Sequence, residues 1–569
     1  MTPAADARRA RPTSEGVRPE AWFKGVRAYL LIALISLAAA LPGVFTVPPL
    51  DRDESRFAQA TAQMLETGDF IRIQEQDQAR NKKPVGIYWL QAASVALFSN
   101  ASARAIWAYR LPSVLGALLT SLATLWAGTA LFDRKTGFWA GALMAVSVLL
   151  STEGMIAKTD AMLCAATAVA MGALAHLYLR RGSGGAAFVF WVATAIGVLV
   201  KGPITPLVGA LSMATLAVWE RRAAWMKPLL RPSGVIAFLA LTLPWFVAIQ
   251  ISTGGQFAHD ALTGDMGRKL GGADEGHAAP PGYYIALLPF LAFPISTALP
   301  GGIRLAYREL RTARDVSAVR FILAWAAPIW LLFELMPTKL FHYTLPAYPA
   351  LALLGAAGVC AQTGERGQRA SSIVLFALAA FALAGVGGFV GAIGRHLILG
   401  ALVLALCALA VTIRFARTKS PLVATAIAVA TSVVFAIAVR NVLLPTADGW
   451  FISARASAAL EHEGLHPRLS PHAGRLVVVG YAEPSLVFLT RTDTLLATPD
   501  AAAQAAQPNS VMLVENSQRR ALDRLLAHRD LVFRPIGASI TGFDYSNHRN
   551  VALQPGRVGA RAHAPAPPS

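Results

Sequence analysis

Apolar runs recur along the chain from Leu30 to Leu444, separated by short polar turns. Most approach the roughly 20 residues that a helix needs to cross a hydrocarbon layer about 30 Å thick. Within them there is no strand-like alternation, so the pattern predicts a bundle of membrane helices. The turns differ in charge. Arginine and lysine gather before Leu30 (Arg8, Arg9, Arg11, Arg18, Lys24 and Arg27), and at Arg134-Lys135, Arg180-Arg181, Arg221 to Arg231, Arg304 to Arg320, Arg366 to Arg369 and Arg414 to Lys419. By the positive-inside rule these turns are cytoplasmic. The alternation predicts spans near 29–45, 106–132, 136–152, 160–179, 186–200, 203–220, 234–252, 283–301, 319–337, 341–362, 371–393, 396–416 and 421–445. The turns at 153–160, 201–202, 253–282, 338–340 and 394–395 then face outward, as does everything after Pro445.

The run Pro84–Phe98 breaks the pattern. At about 15 residues it is short for a span. If it crossed, every later basic turn would fall on the wrong side. It is expected to lie at the outer interface, which leaves about thirteen spans and makes 47–105 one long outer loop. A fourteenth full span is the alternative.

Three parts follow: a cytoplasmic N-terminus over 1–28, a membrane domain over 29–445 and an outer domain over 446–569. In the last, strand-like runs at Arg475–Val479, Ser510–Val514 and Leu531–Pro535 flank a helix-like run at Gln518–His528, which predicts a small α/β domain. The residues from Arg557 to Ser569 are rich in Pro, Ala and Arg and are expected to be disordered.

Composition agrees with the membrane reading. The chain of 569 residues is 55% hydrophobic and 15% charged, with a mean hydropathy of +0.49. The formal net charge of +19 resembles a nucleic-acid signal. Its concentration in short inter-span turns argues for membrane topology instead, so no nucleic-acid partner is expected. Cys164, Cys360 and Cys407 all lie in apolar runs, where they read as small core residues rather than a disulfide framework.

The polar residues on the outer side form a set. The long loop opens with Asp51-Arg52-Asp53-Glu54-Ser55-Arg56, continues through a helical stretch that ends at Gly68, and closes on Arg80-Asn81-Lys82-Lys83-Pro84. The other turns add Glu153, Lys158, Asp160, Lys201, Lys339, His342 and Tyr343. Ionisable groups at a membrane boundary are costly and usually have a partner or a task. Carboxylates suit a base or a cationic group on a substrate. Lysine and arginine suit a phosphate. Together they predict a lipid-borne, phosphate-bearing substrate. In the turn 253–281, Arg268 and Lys269 are further phosphate contacts. His259 and His277, with acidic neighbours, are candidate ligands if a divalent metal is used.

The segments Leu50-Asp51-Arg52-Asp53-Glu54-Ser55-Arg56-Phe57-Ala58, Lys83-Pro84-Val85-Gly86, Ala157-Lys158-Thr159-Asp160, Leu199-Val200-Lys201-Gly202 and Thr338-Lys339-Leu340-Phe341-His342-Tyr343 resemble the bacterial aminoarabinose lipid A transferases. These are a branch of the protein O-mannosyltransferase-like GT-C glycosyltransferases. The resemblance covers about residues 45–360. It implies a polytopic helical GT-C fold of about thirteen spans with a small outer domain, in the bacterial inner membrane and with its active site facing the periplasm. It also implies inverting transfer of 4-amino-4-deoxy-L-arabinose from undecaprenyl phosphate to a lipid A phosphate, and with it resistance to polymyxin. The implied roles are catalysis at Asp53, Glu54 and Asp160, and substrate or phosphate contact at Arg56, Lys82, Lys83, Lys201, Arg268, Lys269 and Tyr343. Family members often carry an acid where Lys82 stands. A sibling enzyme that mannosylates proteins is the first alternative. A transporter is the second, although no internal duplication is visible.

Overall fold

The computed structural model describes residues 25–179, 184–261, 263, 278–313, 315–361, 366–393, 398–470 and 472–561. Arg8 to Lys24, Arg180-Arg181, Arg268, Lys269, His277 and the outward turn 394–395 lie outside the described residues. Ten helices open the fold: α1 (Gly25–Ala40), α2 (Asp53–Thr67), α3 (Gly86–Phe98), α4 (Ile106–Leu131), α5 (Arg134–Ala145), α6 (Val148–Glu153), α7 (Asp160–Tyr178), α8 (Gly184–Lys201), α9 (Ile204–Glu220) and α10 (Pro232–Ser252). Further helices cover Tyr283–Leu291, Ile295–Thr312, Ser317–Leu335, Tyr348–Cys360, Arg366–Ile393, Ile398–Arg417 and Pro421–Phe435. Every expected span therefore contains helix. Among the described residues, eight helices are long and apolar enough to cross a membrane, or nine if one bent pair counts as a span. The chain is a multi-pass membrane protein.

Three expected spans are not the straight helices the hydrophobic pattern predicts. The run 283–301 bends by 115° between Leu291 and Ile295. Its second arm continues to Thr312 with Arg304, Arg308 and Arg311 along it. The run 136–152 divides into α5 and α6 around Val146-Ser147. The run 421–445 widens to a π-helix over Ala436–Leu443. There Arg440 is buried and donates to the carbonyls of Ala39 (2.7 Å) and Ser151 (2.5 Å), tying three segments together. Water cannot satisfy such a group inside a bundle, so backbone carbonyls do.

Glycine sets the closest helix contacts. A methyl group at Gly358 would sit 2.2 Å from the backbone of Gly301 and Gly302, so the helices Ile295–Thr312 and Tyr348–Cys360 touch backbone to backbone. Gly116 does the same for α4 against Ala161 of α7, and Gly86 for α3 against Leu199 of α8.

The long loop is ordered. Gly68, at a φ of 71°, ends α2 as the sequence predicts. A two-residue hairpin, β1 (Gln74–Glu75) with β2 (Gln78–Ala79), follows. The short apolar run forms α3, whose 13 residues reach only about 20 Å at 1.5 Å per residue.

The C-terminal domain is α/β, as expected. Its strands are β3 (Leu476–Val479), β4 (Leu495–Ala497), β5 (Val511–Glu515), β6 (Leu531–Pro535), β7 (Ile540–Asp544) and β8 (Arg549–Ala560), in a sheet ordered β4-β3-β5-β8-β6 with β7 also on β8. β3 runs parallel to β4 and β5, and β8 antiparallel to β5, β6 and β7. The expected disorder from Arg557 is corrected here. Arg557 to Ala560 pair with β5 and β6 in the middle of the sheet, while 562–569 lie outside the described residues.

Candidate active site at the first loop

The loop that opens α2 is held from below by one buried ion pair. Glu54 is 1% exposed and Arg110, inside α4, is fully buried. The guanidinium grips the carboxylate with two bonds of 2.8 and 2.7 Å. Its other hydrogens go to the carbonyls of Val44 (3.0 Å), Val47 (2.7 Å) and Pro48 (3.0 Å). Glu54 also accepts the backbone N–H groups of Leu50 and Ala157, both at 2.8 Å. Such a saturated pair fixes backbone rather than reacting. Glu54, expected beside Asp53 in the chemistry, thus has a positioning geometry.

Asp53 is different. It is the first residue of α2 and is exposed. Arg52 before it adopts a φ of 61° and donates to Asn547 Oδ1 at 3.1 Å and to Ser546 O at 2.5 Å, both in the C-terminal domain. The turn therefore leaves Asp53 exposed while anchoring its neighbours. Its charge reaches Lys158 and Arg80. Lys158 is buried, which disfavours an ammonium. The carboxylates of Glu153, Asp160 and Asp53 outweigh this and hold its proton more tightly than usual.

Within reach of the Asp53 charge lies a largely buried cluster. Asp160 begins α7 and bonds the ammonium of Lys201 from the end of α8. Lys158 Nζ lies 3.3 Å from Glu153 and 3.6 Å from Asp160. His342 stands between the two acids, 3.7 Å from Glu153 and 3.6 Å from Asp160. The Lys201 ammonium lies 5.8 Å from the centre of the Tyr343 ring. The structure thus brings Asp160, Lys201 and Tyr343 together and adds Glu153, Lys158 and His342. Those three were visible as ionisable residues in outward turns, but nothing in the sequence shows that they meet.

Glu153, Asp160 and His342 have the spacing of a metal-ligand set, their donor atoms within 4.8 Å of one another. Two ammonium groups already lie against these two carboxylates, Lys158 on Glu153 and Lys201 on Asp160. A divalent ion would have to displace them, so the donor set fits a metal poorly. His259 stands apart from this cluster. It is exposed and 3.5 Å from Asp260, which in turn accepts from Asn81 at 2.9 Å. Lys339, by contrast, closes the helix Ser317–Leu335 by donating to the carbonyls of Glu334 and Met336, each at 2.7 Å.

Arg56 and Lys82 face another way. They line a cavity of about 850 Å³ between the hairpin and the C-terminal domain. Lys83 is partly exposed at the start of the segment leading into α3.

The C-terminal domain docks on the loop through two sets of bonds. Arg104 is buried and donates to Gln59 (2.7 Å) and Thr492 (2.9 Å), and also pairs with Glu66. On the other side Tyr545 accepts the N–H of Asp51 at 2.7 Å, and Ser485 donates to the Asp51 carboxylate. Burial pushes Asp51 up to about 6 and Glu483 up to about 7, the latter helped by the charges of Asp51 and Asp544.

Comparison with known proteins agrees with this picture. Residues 27–256 match the family described as dolichyl-phosphate-mannose-protein mannosyltransferase. Undecaprenyl phosphate-alpha-4-amino-4-deoxy-L-arabinose arabinosyl transferase of Enterobacter sp. (strain 638) is 27% identical over 307 residues, 53% of this chain and 54% of that one. The Pseudomonas aeruginosa protein of the same name is 29% identical over 328 residues, 55% of this chain and 57% of that one. The chain thus spans about half the length of the curated relatives it matches. The crystal structure of ArnT from Cupriavidus metallidurans bound to undecaprenyl phosphate superposes with a TM-score of 0.73 at 16% identity, covering 94% of this chain and 98% of that one. The fold is that of the GT-C membrane glycosyltransferases, and the resemblance read from the motifs is borne out.

Proposed function

We propose that this protein is an inverting glycosyltransferase that moves 4-amino-4-deoxy-L-arabinose from undecaprenyl phosphate to a phosphate of lipid A. It would act at the periplasmic face of the bacterial inner membrane and confer resistance to cationic peptides such as polymyxin. The observation that carries the reading is the exposed carboxylate of Asp53 with its charge reaching a largely buried cluster of paired lysines, in a chain similar to enzymes named for that donor.

In the reaction an oxygen of the lipid A phosphate attacks C1 of the sugar. The bond from C1 to the polyprenyl phosphate oxygen breaks, and that phosphate leaves with the bonding electrons. The acceptor is already anionic and needs little deprotonation, so Asp53 orients it or stabilises the positive charge developing on the sugar. The departing phosphate gains negative charge, and preorganised cations in a dry site are effective there. Lys83 and Lys201 are assigned to it, with Arg268 and Lys269 as further phosphate contacts, while Arg56, which lines the cavity beside the C-terminal domain, is assigned to the acceptor side. Asp160 holds the Lys201 ammonium in place, and Tyr343, beside it, supplies a hydroxyl to phosphate or sugar. Glu54 keeps the Asp53 turn rigid. No step is routed through a metal.

The match of residues 27–256 to protein mannosyltransferases favours the second reading, transfer to a protein hydroxyl. Mass spectrometry of lipid A from a deletion strain separates the two. Loss of a pentosamine-sized adduct supports lipid A transfer, and unchanged lipid A under inducing conditions overturns it. Asp53→Asn should lower the rate by on the order of 100-fold or more. Full activity in a folded Asp53→Asn protein would remove the site from Asp53.

A further inference from the structure

The cavity of about 850 Å³ above the first loop is walled by residues 56–82 and by residues 475–496 of the C-terminal domain. None of its lining residues belongs to a candidate membrane span. A polyprenyl chain would have no apolar helix to lie against in it, whereas a polar headgroup would. The space is well above the ~300 Å³ at which small-ligand sites begin.

Its cations come from three separate elements: Arg56 on α2, Arg80 and Lys82 after the hairpin, and Arg475 at the start of β3. Two of the wall carboxylates are already balanced. Glu75 lies 3.3 Å from Arg80 and 3.8 Å from Arg56, and Asp493 is held by Arg491 at 2.6 Å. Lys82 is exposed and makes no ion pair among the described residues. Arg475 donates from Nε to the carbonyl of Asp493 at 2.6 Å, and among the described residues its two terminal nitrogens make no hydrogen bond. That leaves a planar, two-pronged donor, the geometry that suits a phosphate. The exposed side chains of Asp77 and Gln78 complete a lining able to bond sugar hydroxyls. Arg56 is one helical turn from Asp53 on α2, so the cavity's inner edge lies next to that carboxylate.

We infer that this cavity is the headgroup subsite of the acceptor, that its ligand is a phosphorylated saccharide, and that Arg475 of the C-terminal domain is one of its phosphate contacts. The inference rests on the transferase reading for its acceptor. The donor binds on the membrane side, so the two substrates approach Asp53 from opposite directions.

The test uses the full-length chain in detergent. Arg475→Glu, Arg475→Ala and Arg475→Lys are compared with the unaltered protein in two measurements. One is binding of a soluble diphosphorylated glucosamine disaccharide. The other is steady-state transfer with donor and acceptor varied separately. Binding and the acceptor KM should worsen on the order of 10- to 100-fold in Arg475→Glu. The Arg475→Ala effect should be smaller, and Arg475→Lys should recover most of the loss. The donor KM should stay within about twofold, as expected for a group that never meets the donor. Arg475 is exposed, and equal melting temperatures show that the variants fold. Undiminished disaccharide binding in Arg475→Glu, or a donor KM that rises in step with the acceptor KM, overturns the inference. If the protein binds the disaccharide through Arg475 but transfers no aminoarabinose, the subsite stands and the transferase reading falls.

Discussion

At the scale of single residues, one sequence segment gives two carboxylates different fates. Asp53 and Glu54 are adjacent on α2, so they point about 100° apart, one exposed and one into the bundle. The acidic doublet was legible in the sequence. The division of labour was not, because it depends on Arg110, a charged residue in an apolar run whose partner lies 56 positions away. An intramembrane arginine was the available signal. A third acid makes a measurable statement about pH. Glu483 is 2% exposed and one of its oxygens lacks a hydrogen-bond partner. Its folded-state value of about 7 lies above the ordinary 4.5. The folded chain therefore holds a proton that the unfolded chain has released. The contribution to stability is complete below about pH 4.5 and falls away as the pH rises through about 7. Glu483→Gln removes the charge and keeps the acceptor for Asn547. It should raise the stability of the C-terminal domain at pH 8 by on the order of 1 kcal/mol and leave it unchanged at pH 4. Thermal unfolding of the full chain at both pH values checks this. An equal effect at both would show that the charge is not responsible.

At the scale of elements, close packing follows from missing side chains. Gly358 lets two helices meet at their backbones. Gly358→Ala should cost about 1–3 kcal/mol through overpacking. Gly367→Ala, where an added methyl group meets nothing within 4 Å, should be close to neutral. Melting temperatures in detergent compare the two, and equal values would refute the contact. Helix positions were legible because about 20 apolar residues are hard to hide. The bend after Leu291 and the break at Val146-Ser147 were not, since both lie inside runs that stay apolar throughout. β8 was hidden for another reason. Its sequence, RNVALQPGRVGA, has poor intrinsic strand character, and pairing with three neighbouring strands overrides it.

At the scale of the whole molecule, the C-terminal α/β domain is fastened to the first loop. Arg104 reaches Gln59 and Glu66 on α2 and Thr492 in the C-terminal domain at once. Arg104→Met removes one donor from each of these groups and should weaken docking by on the order of 2 kcal/mol. Limited proteolysis should then cut the connection near Ala447 faster, while the isolated melting of the helical part is retained. Unchanged cleavage would mean that docking rests on the remaining bonds, from Asp51 on one side and from Gln76 and Arg468 on the other. The order of the elements was legible from the sequence. Their mutual orientation was not, because it rests on pairs separated by hundreds of residues, such as Arg52 with Asn547.

The wall between the hairpin and β3 belongs to two stretches that are far apart in the chain, 56–82 and 475–496. The second carries no part of the buried lysine cluster. With the cavity as the acceptor subsite proposed above, drift in the tail would alter which molecule receives the sugar without disturbing how the sugar is released. Lineages sharing one donor would be free to diversify their recipients by exchanging roughly twenty residues, and grafting such a segment between relatives is a direct route to retargeting.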